Sequence, residues 1–143
     1  MGQGQQTSAD QAGWTAAGAS ATPGLELIGV RKADTSRDAE RMLERVLGYR
    51  VFPDSGGRMN LSLTDTGYGL LLVSQFTLAA DTRKGMRAGF QTAADPAEAE
   101  KLFNSLVAAA RSQHGGPVAA GQFGANMQVS LTNDGPVTFW LES

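Results

Sequence analysis

The stretch LLLVSQFTL, residues 70–78, decides how the rest of the chain is interpreted. Its first residues are an almost continuous apolar run, which is typical of a strand that is buried on both faces. Polar residues follow at its end, where Ser74, Gln75 and Thr77 stand among apolar neighbours. Polar groups at the mouth of a buried strand suit a functional site, although a strand simply leaving the core has the same pattern.

Two helices are predicted, one on each side of this strand in the sequence. The first can be capped by Asp34, Thr35 or Ser36 and ends near Gly48. The second starts at Asp95-Pro96-x-Glu98, which combines an acceptor cap, a proline in the first turn and an early carboxylate. Both have an apolar stripe with helical spacing: Ala39, Met42, Leu43, Val46 and Leu47 in the first, and Ala99, Leu102, Phe103, Leu106, Val107 and Ala110 in the second.

Further β-strands are predicted before, between and after the helices. They are GLELIGV (24–30), YRVF (49–52) resumed by LSL (61–63), VAAGQF (118–123), MQVSLT (127–132) and VTFWLE (137–142). Residues 79–93 form a long loop before the second helix, and loops of such length are often functional. This order predicts a mixed α and β fold, with two main helices packed on β-sheet.

Composition removes several classes of function. The chain has 143 residues, which suits one domain. Its formal charge of −2 shows that the chain as a whole is not a polycation, so any contact with nucleic acid has to come from a local basic patch. The absence of cysteine excludes disulfides, thiolate catalysis and cysteine zinc sites, and fits a cytoplasmic location. No apolar stretch reaches the roughly 18 residues of a membrane span, and the start of the sequence does not resemble a secretory signal. We therefore expect no membrane association.

The single histidine, His114, follows the predicted end of the second helix, where it favourably meets the helix dipole. A structural role is favoured over that of a catalytic base, because nothing near it suggests a Ser-His-Asp site. No metal-ligand or nucleotide-binding motif is found, so neither a cofactor nor a metal is expected. An enzyme with this inventory has to work with backbone groups, hydroxyls and shape.

Four segments, taken together, resemble the D-aminoacyl-tRNA deacylases: RMNLSL (58–63), VSQFTLAADTRKG (73–85), FGANMQVSLTNDGPVT (123–138) and the terminal LES. The combination of S-Q-F-T-L with N-x-G-P-V-T is specific, and the resemblance runs from about Pro23 to Ser143. It implies a layered β/β/α fold and a homodimer. It also implies hydrolysis of the ester between a D-amino acid and tRNA, a chiral proofreading step in translation that needs no cofactor.

The resemblance places the catalytic centre at Ser74, Gln75, Phe76 and Thr77. Thr77 matches the active-site threonine of the family. It is one candidate for a nucleophile, but no base in the sequence obviously activates it. The alternative is substrate-assisted attack, in which the 2′-hydroxyl of the tRNA activates water. Backbone N–H groups near Gln75 and Phe76 would then stabilise the oxyanion. We favour this second mechanism because the side chains offer so little else.

The resemblance also explains the proline in the turn of the last predicted hairpin. It implies a cis Gly135-Pro136 peptide, which enters the active site of the partner subunit and lines it with main-chain atoms. Such a wall rejects L-aminoacyl esters by steric clash and accepts D-residues and glycine, including glycine mischarged on tRNA-Ala. The substrate-binding residues implied in this motif are Asn133, Gly135, Pro136, Val137 and Thr138. An ordinary proline-containing turn is the structural alternative.

The terminal adenosine and the rest of the tRNA are expected to contact two other segments. The resemblance implies adenosine binding by Phe123, Gly124, Ala125 and Met127, although Phe123 and Met127 suit a core equally well. The cluster of Arg83, Lys84 and Arg87 in the long loop can contact acceptor-stem phosphates, or can be an ordinary exposed set of charges.

Two departures from the family pattern stand out. Residues 1–22, which include Trp14, have the wrong composition for the family's first strand and are interpreted as an atypical N-terminal segment: disordered, divergent or out of frame. The deacylase domain is accordingly assigned to residues 23–143. The loop has GMRAGF where the family typically has R-P-S-F. Two alternative hypotheses to an active enzyme are an inactive relative that dimerises and binds tRNA ends, and a small β-rich binding module.

Overall fold

A computed structural model describes residues 24–143, and the predictions for residues 1–22 and Trp14 lie outside this range. The regular elements are β1 (Gly24–Ile28), α1 (Ser36–Gly48), β2 (Phe52–Pro53), β3 (Met59–Leu61), α2 (Leu63–Thr66), β4 (Leu70–Ser74), a 3-10 turn (Phe76–Ala79), α3 (Pro96–Gln113) and β5 (Val118–Ala120). The predicted mixed α and β class is confirmed, and two main helices pack on β-structure.

The strand predicted to be central is central. β4 lies between β1 and β5 in a parallel sheet, with Glu26 opposite Leu72 and Leu70 opposite Val118. Leu70 and Leu72 are completely buried. Parallel strands are covered on their faces, which is why the sequence of β4 is almost continuously apolar.

Both predicted helices form where their caps place them. In α1, the carboxylate of Asp38 accepts hydrogen bonds from the backbone N–H (2.8 Å) and the hydroxyl (2.6 Å) of Thr35. In α3, Asp95 accepts from the N–H of Ala97 at 3.1 Å. The apolar stripes of the helices meet the sheet in one core: Leu43, Val46, Leu47, Phe52, Leu63, Leu70, Leu72, Phe103, Leu106, Val107 and Ala110.

The predicted strand around residues 49–63 is correct only in part. Pairing begins at Phe52, and β3 ends at Leu61, so the prediction of a strand over LSL is wrong at its end. The reason is a local cap: Ser62 accepts from the N–H of Asp65, whose carboxylate accepts from the N–H of Ser62 at 2.9 Å. Such a reciprocal pair starts a helix, and α2 therefore begins at Leu63.

The two last predicted strands are wrong. Residues 121–143 contain no strand, although MQVSLT and VTFWLE have β-prone sequences. A strand is stable only when its N–H and C=O groups pair with a neighbouring strand, and neither segment pairs with a strand within residues 24–143. The segment 127–143, called here the C-terminal segment, is instead held by Arg45, which donates to the backbone oxygen of Glu142, and by packing of Phe139 on Tyr49.

The histidine has the structural role that its position predicts. His114 is the C-cap of α3 and is buried. Its Nε2 is 2.7 Å from the backbone oxygen of Tyr68, so the imidazole joins the end of α3 to the turn before β4.

Candidate active site

The site predicted at residues 74–77 lies where β4 changes into the 3-10 turn. Ser74 is the last strand residue, and the N–H of Gln75 donates to the oxygen of Ile28 at 2.7 Å, the final contact between the first strand and this segment. The tight turn that follows brings Phe76 and Thr77 to the surface, while Ser74 and Gln75 stay half-buried. The structure therefore brings the four predicted residues together at one end of the sheet.

A side-chain hydrogen bond fixes the hydroxyl of Thr77. The amide Nε2 of Gln75 donates to Thr77 Oγ1 at 2.5 Å. Within residues 24–143, no histidine or carboxylate forms a hydrogen bond with this hydroxyl. Activation of a threonine nucleophile requires a base within hydrogen-bond reach, so the described residues hold Thr77 in place without activating it.

Backbone N–H groups are available beside this hydroxyl. The first main-chain hydrogen bond of the turn runs from the N–H of Leu78 to the oxygen of Gln75, at 3.2 Å. The N–H groups of Phe76 and Thr77 come before it and have no partner within the turn, as expected at the start of a helix. They are suitable donors for an oxyanion.

The basic loop next to this site has a defined shape. Asp81 and Gly89 exchange two backbone hydrogen bonds, of 2.7 and 2.9 Å, and close the loop between them. Arg83 forms an ion pair with Asp81 at 2.7 Å, and its hydrogen bonds hold the pKa of that carboxyl well below its usual range. Lys84 and Arg87 are exposed and have no ion-pair partner within residues 24–143. The predicted cluster is thus divided into one paired and two unpaired cations.

Phe90 is a neighbour of the site that the sequence analysis did not single out. Its ring centroid lies 5.1 Å from that of Phe76, with the planes at 47°. An aromatic residue inside a long polar loop is a sequence signal for a functional role. The contact of Phe90 with Phe76, however, depends on the closure of that loop.

The turn that carries the predicted Gly-Pro motif is held by one side chain. Asn133 Oδ1 accepts from the N–H of Val137 at 2.9 Å, and its Nδ2 donates to Thr138 Oγ1 at 2.8 Å. The Gly135-Pro136 peptide between these contacts is cis, as the resemblance implies. All residues of the turn, 133–138, are exposed.

The predicted adenosine-binding residues follow β5. Phe123 is half-buried and packs on Phe103 of the core, with ring centroids 6.1 Å apart. Met127 covers Gly121 so closely that a Cβ there would come within 2.7 Å of its sulfur. Gly124, at a φ of 73°, and Ala125 form the turn between them. Packing thus accounts for part of the surface of Phe123 and Met127, and their contact with adenosine remains a prediction.

A groove of about 880 Å³ lies between β1, α1 and the C-terminal segment. Its lining includes Asn133, Gly135, Val137 and Thr138, whereas residues 74–77 lie outside it. Within one chain, this groove therefore does not combine the predicted catalytic residues with the predicted substrate-binding residues. Glu26 also lines the groove, and burial raises the pKa of its carboxyl to about 7.

Within the part of the chain that the structure describes, no group of three or more His, Asp or Glu side chains could hold a metal ion. Over the same residues, none of the helices is long and apolar enough to cross a membrane.

The chain is similar in sequence to proteins of a known family. The family model described as "D-Tyr-tRNA(Tyr) deacylase" matches residues 15–142. A D-aminoacyl-tRNA deacylase of Thioalkalivibrio sulfidiphilus is 67% identical over 118 residues, which cover 82% of this chain and 78% of the relative. One of Xanthomonas campestris is 62% identical over 120 residues, 83% of this chain and 82% of that protein.

Solved structures show the same architecture. One described as the c-Myc DNA Unwinding Element Binding Protein has a TM-score of 0.78 and 39% identity, and the match covers 83% of this chain and 80% of that one. One described as a probable eukaryotic D-amino acid tRNA deacylase has a TM-score of 0.53 and 16% identity over 73% of this chain and 75% of the other. At that identity, the second comparison bears on the fold alone.

Proposed function

Because this chain belongs to the D-aminoacyl-tRNA deacylase family and is a hydrolase acting on aminoacyl-tRNA, we propose a mechanism and a basis for its chiral selectivity. In this proposal, the segment 74–77 positions the ester without a protein nucleophile. The observation that carries it is the hydrogen bond from Gln75 to Thr77, at a surface where the described residues offer no base. The substrate itself has to supply the missing group.

The proposed reaction uses the 2′-hydroxyl of the terminal ribose to orient and activate a water molecule. The water oxygen attacks the ester carbonyl carbon, and the resulting oxyanion accepts hydrogen bonds from the N–H groups of Phe76 and Thr77. The bond from that carbon to the ribose oxygen then breaks. The ribose oxygen takes up one proton of the attacking water, and the free D-amino acid leaves as a carboxylate and gives the other proton to solvent. The protein contributes orientation and electrostatic stabilisation.

Chiral selectivity is proposed to come from the turn 133–138 of a partner subunit in a homodimer. Within one chain, this turn lines a groove that does not include residues 74–77, so a second chain would have to bring it to the ester. The tip is exposed and braced by Asn133, which suits insertion into a neighbour. A main-chain wall at Gly135 and Pro136 would block an L side chain and leave room for D-residues and glycine.

Recognition of the tRNA is proposed to combine two surfaces. The exposed faces of Phe123 and Met127, beside the turn at Gly124 and Ala125, would contact the terminal adenosine. Lys84 and Arg87, which have no ion-pair partner within residues 24–143, would contact phosphates, and Arg83 would do so less because Asp81 already neutralises it.

The test is the release of amino acid from D-tyrosyl-tRNA, L-tyrosyl-tRNA and glycyl-tRNA. We expect hydrolysis of the D and glycyl esters and survival of the L ester. A folded preparation that hydrolyses none of them would contradict the proposal and favour a binding protein without catalysis. In Thr77→Ala, a loss of ~10⁴-fold or more would indicate a true nucleophile, because losses of that size accompany removal of one.

The cross-subunit contribution is tested by mixing two variants, each of which is expected to hydrolyse the ester more slowly than the wild type. One carries Thr77→Val, and the other a deletion of residues 134–136. If each active site needs the turn of the other chain, a mixed dimer contains one complete active site, and it should hydrolyse the ester faster than either variant alone. A chain that is monomeric during turnover and fully active would exclude the cross-subunit arrangement.

A further inference from the structure

Phe76 and Phe90 form an exposed surface that begins at the candidate active site and is called here the aromatic platform, and Met86 lies in the same loop as Phe90. Phe76 is 60% exposed, Phe90 43% and Met86 fully exposed. The two rings pack on each other and leave their outer surfaces to solvent. A contiguous exposed apolar surface of this kind is typical of a binding site.

The aromatic platform is held in place on both sides. Phe90 directly follows Gly89, whose two hydrogen bonds with Asp81 close the basic loop. Phe76 lies in the 3-10 turn, whose last residue, Ala79, accepts a hydrogen bond from Thr92 Oγ1 at 2.5 Å. The rings are therefore exposed on a scaffold that is already ordered, and a ligand would pay little entropy to bind there.

The charges around the aromatic platform indicate what kind of ligand it takes. Lys84 and Arg87 lie in the same closed loop and have no ion-pair partner within residues 24–143, while the only carboxylate of the loop, Asp81, is neutralised by Arg83. Exposed aromatic rings with unpaired cations in the same loop suit a ligand that combines planar rings with negative charge. Single-stranded nucleic acid has both features, because its bases stack on aromatic rings and its phosphates meet cations.

A second exposed apolar surface on the C-terminal segment serves as a comparison. It includes Leu131, Phe139 and Trp140, which are 59%, 48% and 64% exposed. Asp134 and Glu142 lie in the same segment, and Glu142 accepts a hydrogen bond from the Trp140 indole at 3.0 Å. Carboxylates repel phosphates, so the same exposure does not indicate a nucleic-acid ligand there.

We propose that the aromatic platform stacks an unpaired base of the tRNA 3′ end, next to the aminoacylated adenosine, while Lys84 and Arg87 contact the adjoining phosphates. This inference rests on the proposed function, because Phe76 neighbours Thr77 and so places the platform beside the ester. It adds a contact for a nucleotide that precedes the terminal one in the tRNA chain.

The test uses uncharged tRNA in which 2-aminopurine replaces each unpaired 3′ nucleotide in turn. Stacking on an aromatic ring quenches its fluorescence, so one position is expected to be quenched on binding. Phe90→Leu keeps an apolar side chain but removes the ring, and we expect it to abolish that quenching and weaken binding about ten-fold. Phe90→Tyr retains the ring and is expected to behave as the wild type.

Trp140→Leu is the matched control, since it removes an exposed ring from the surface that carries carboxylates, and it should leave quenching unchanged. Met86→Ala is a second variant whose fully exposed side chain cannot disturb the core, and it should weaken binding to a smaller extent. Quenching as strong in Phe90→Leu as in the wild type would overturn the inference. So would a change in the oligomeric state of Phe90→Leu without a change in tRNA binding, because it would identify an interface between copies.

The readout is independent of catalysis. Because the tRNA is uncharged, quenching reports the aromatic platform whether or not the ester is hydrolysed. Failure to hydrolyse D-tyrosyl-tRNA, with quenching intact, would contradict the proposed function alone. Normal hydrolysis without any quenching would contradict the platform alone.

Discussion

The strand β4 and the C-terminal segment share a β-prone character in sequence but differ in structure. Both are apolar and β-prone, but β4 is paired on both sides and buried, whereas residues 127–143 form no strand and expose several large side chains. The contrast shows that an apolar sequence pattern indicates which side chains favour burial, and does not by itself predict strand pairing. Whether a ladder forms depends on a neighbouring strand, which the pattern does not name.

The largest expected difference between the two regions is in the free energy of unfolding that a Leu→Ala substitution removes. Leu72→Ala removes a completely buried side chain from β4 and should lower the free energy of unfolding by about 4 kcal/mol. Leu131→Ala makes the same change in the C-terminal segment, where the side chain is 59% exposed, and should cost less than about 0.5 kcal/mol. Urea denaturation of both variants measures the difference. A comparable loss at Leu131 would mean that this segment is buried in solution, for example against a second chain.

A second effect concerns Glu26 of β1, which lies opposite Leu72 of β4 and lines the groove beside the C-terminal segment. Its pKa is raised by burial from 4.5 to about 7, so the folded protein favours the protonated acid. Its contribution to stability is complete below about pH 4.5 and is lost as the pH rises through 7. The loss is at most about 3 kcal/mol.

Glu26→Gln should remove this pH dependence, and its stability relative to the wild type should increase from pH 5 to pH 8. Glu100→Gln, an exposed change on α3, is the matched control and should keep the wild-type profile. Denaturant unfolding at several pH values measures both. A wild-type profile that is flat over this range would show that the carboxyl of Glu26 is solvated or paired in solution.

A third, smaller effect concerns the turn 133–138 of the C-terminal segment, whose geometry should matter for activity and little for the stability of the protein. Asn133→Ala removes both hydrogen bonds that brace the turn 133–138. We expect kcat/KM for D-tyrosyl-tRNA to fall about ten-fold and the preference over L-tyrosyl-tRNA to narrow, while the free energy of unfolding changes by less than about 1 kcal/mol.

Thr138→Val removes only one of these hydrogen bonds and should have an intermediate effect. Thr132→Ala, an exposed change just before the turn, should leave both the rate and the preference unchanged. If Asn133→Ala retained full selectivity, the turn would not need its brace.

The smallest effect is expected at the link between the two regions. Arg45→Met keeps the apolar stem of the side chain but removes the donor to the backbone of Glu142. Hydrogen exchange of residues 139–142 should become faster, with a change of less than about 1 kcal/mol in global stability. Arg41→Met is the control on the same helix, since Arg41 is exposed. Equal exchange in both variants would show that other contacts hold the C-terminal segment.

Local features of the sequence were sufficient for much of the fold. The start of α3 could be predicted from Asp95 and Pro96, because a helix satisfies its own backbone groups and its cap lies within a few residues. The central place of β4 could be predicted because burial on both faces leaves an uninterrupted apolar run. The motifs around Thr77 and Gly135 indicated the family, which the comparisons confirmed.

Errors occurred where the outcome depended on competing local or distant groups. Leu63 was assigned to a strand, but the cap formed by Ser62 and Asp65 started a helix there. The strands over MQVSLT and VTFWLE were predicted from their side chains, yet neither segment pairs with a strand within residues 24–143. Alternation along a chain is a local property, whereas pairing is a contact between segments far apart in sequence.

By itself, the sequence determined the two helices, the central strand, the family and the residue types available for chemistry, because each depends on neighbours in the chain. The sequence did not decide which loop cation pairs with Asp81, and within residues 24–143 it is Arg83 and not Lys84. The tertiary structure decided this, and it also decided that Phe90 meets Phe76, because closure of a loop brings the two rings together. Such contacts depend on distances in space, and no periodicity in the sequence records them.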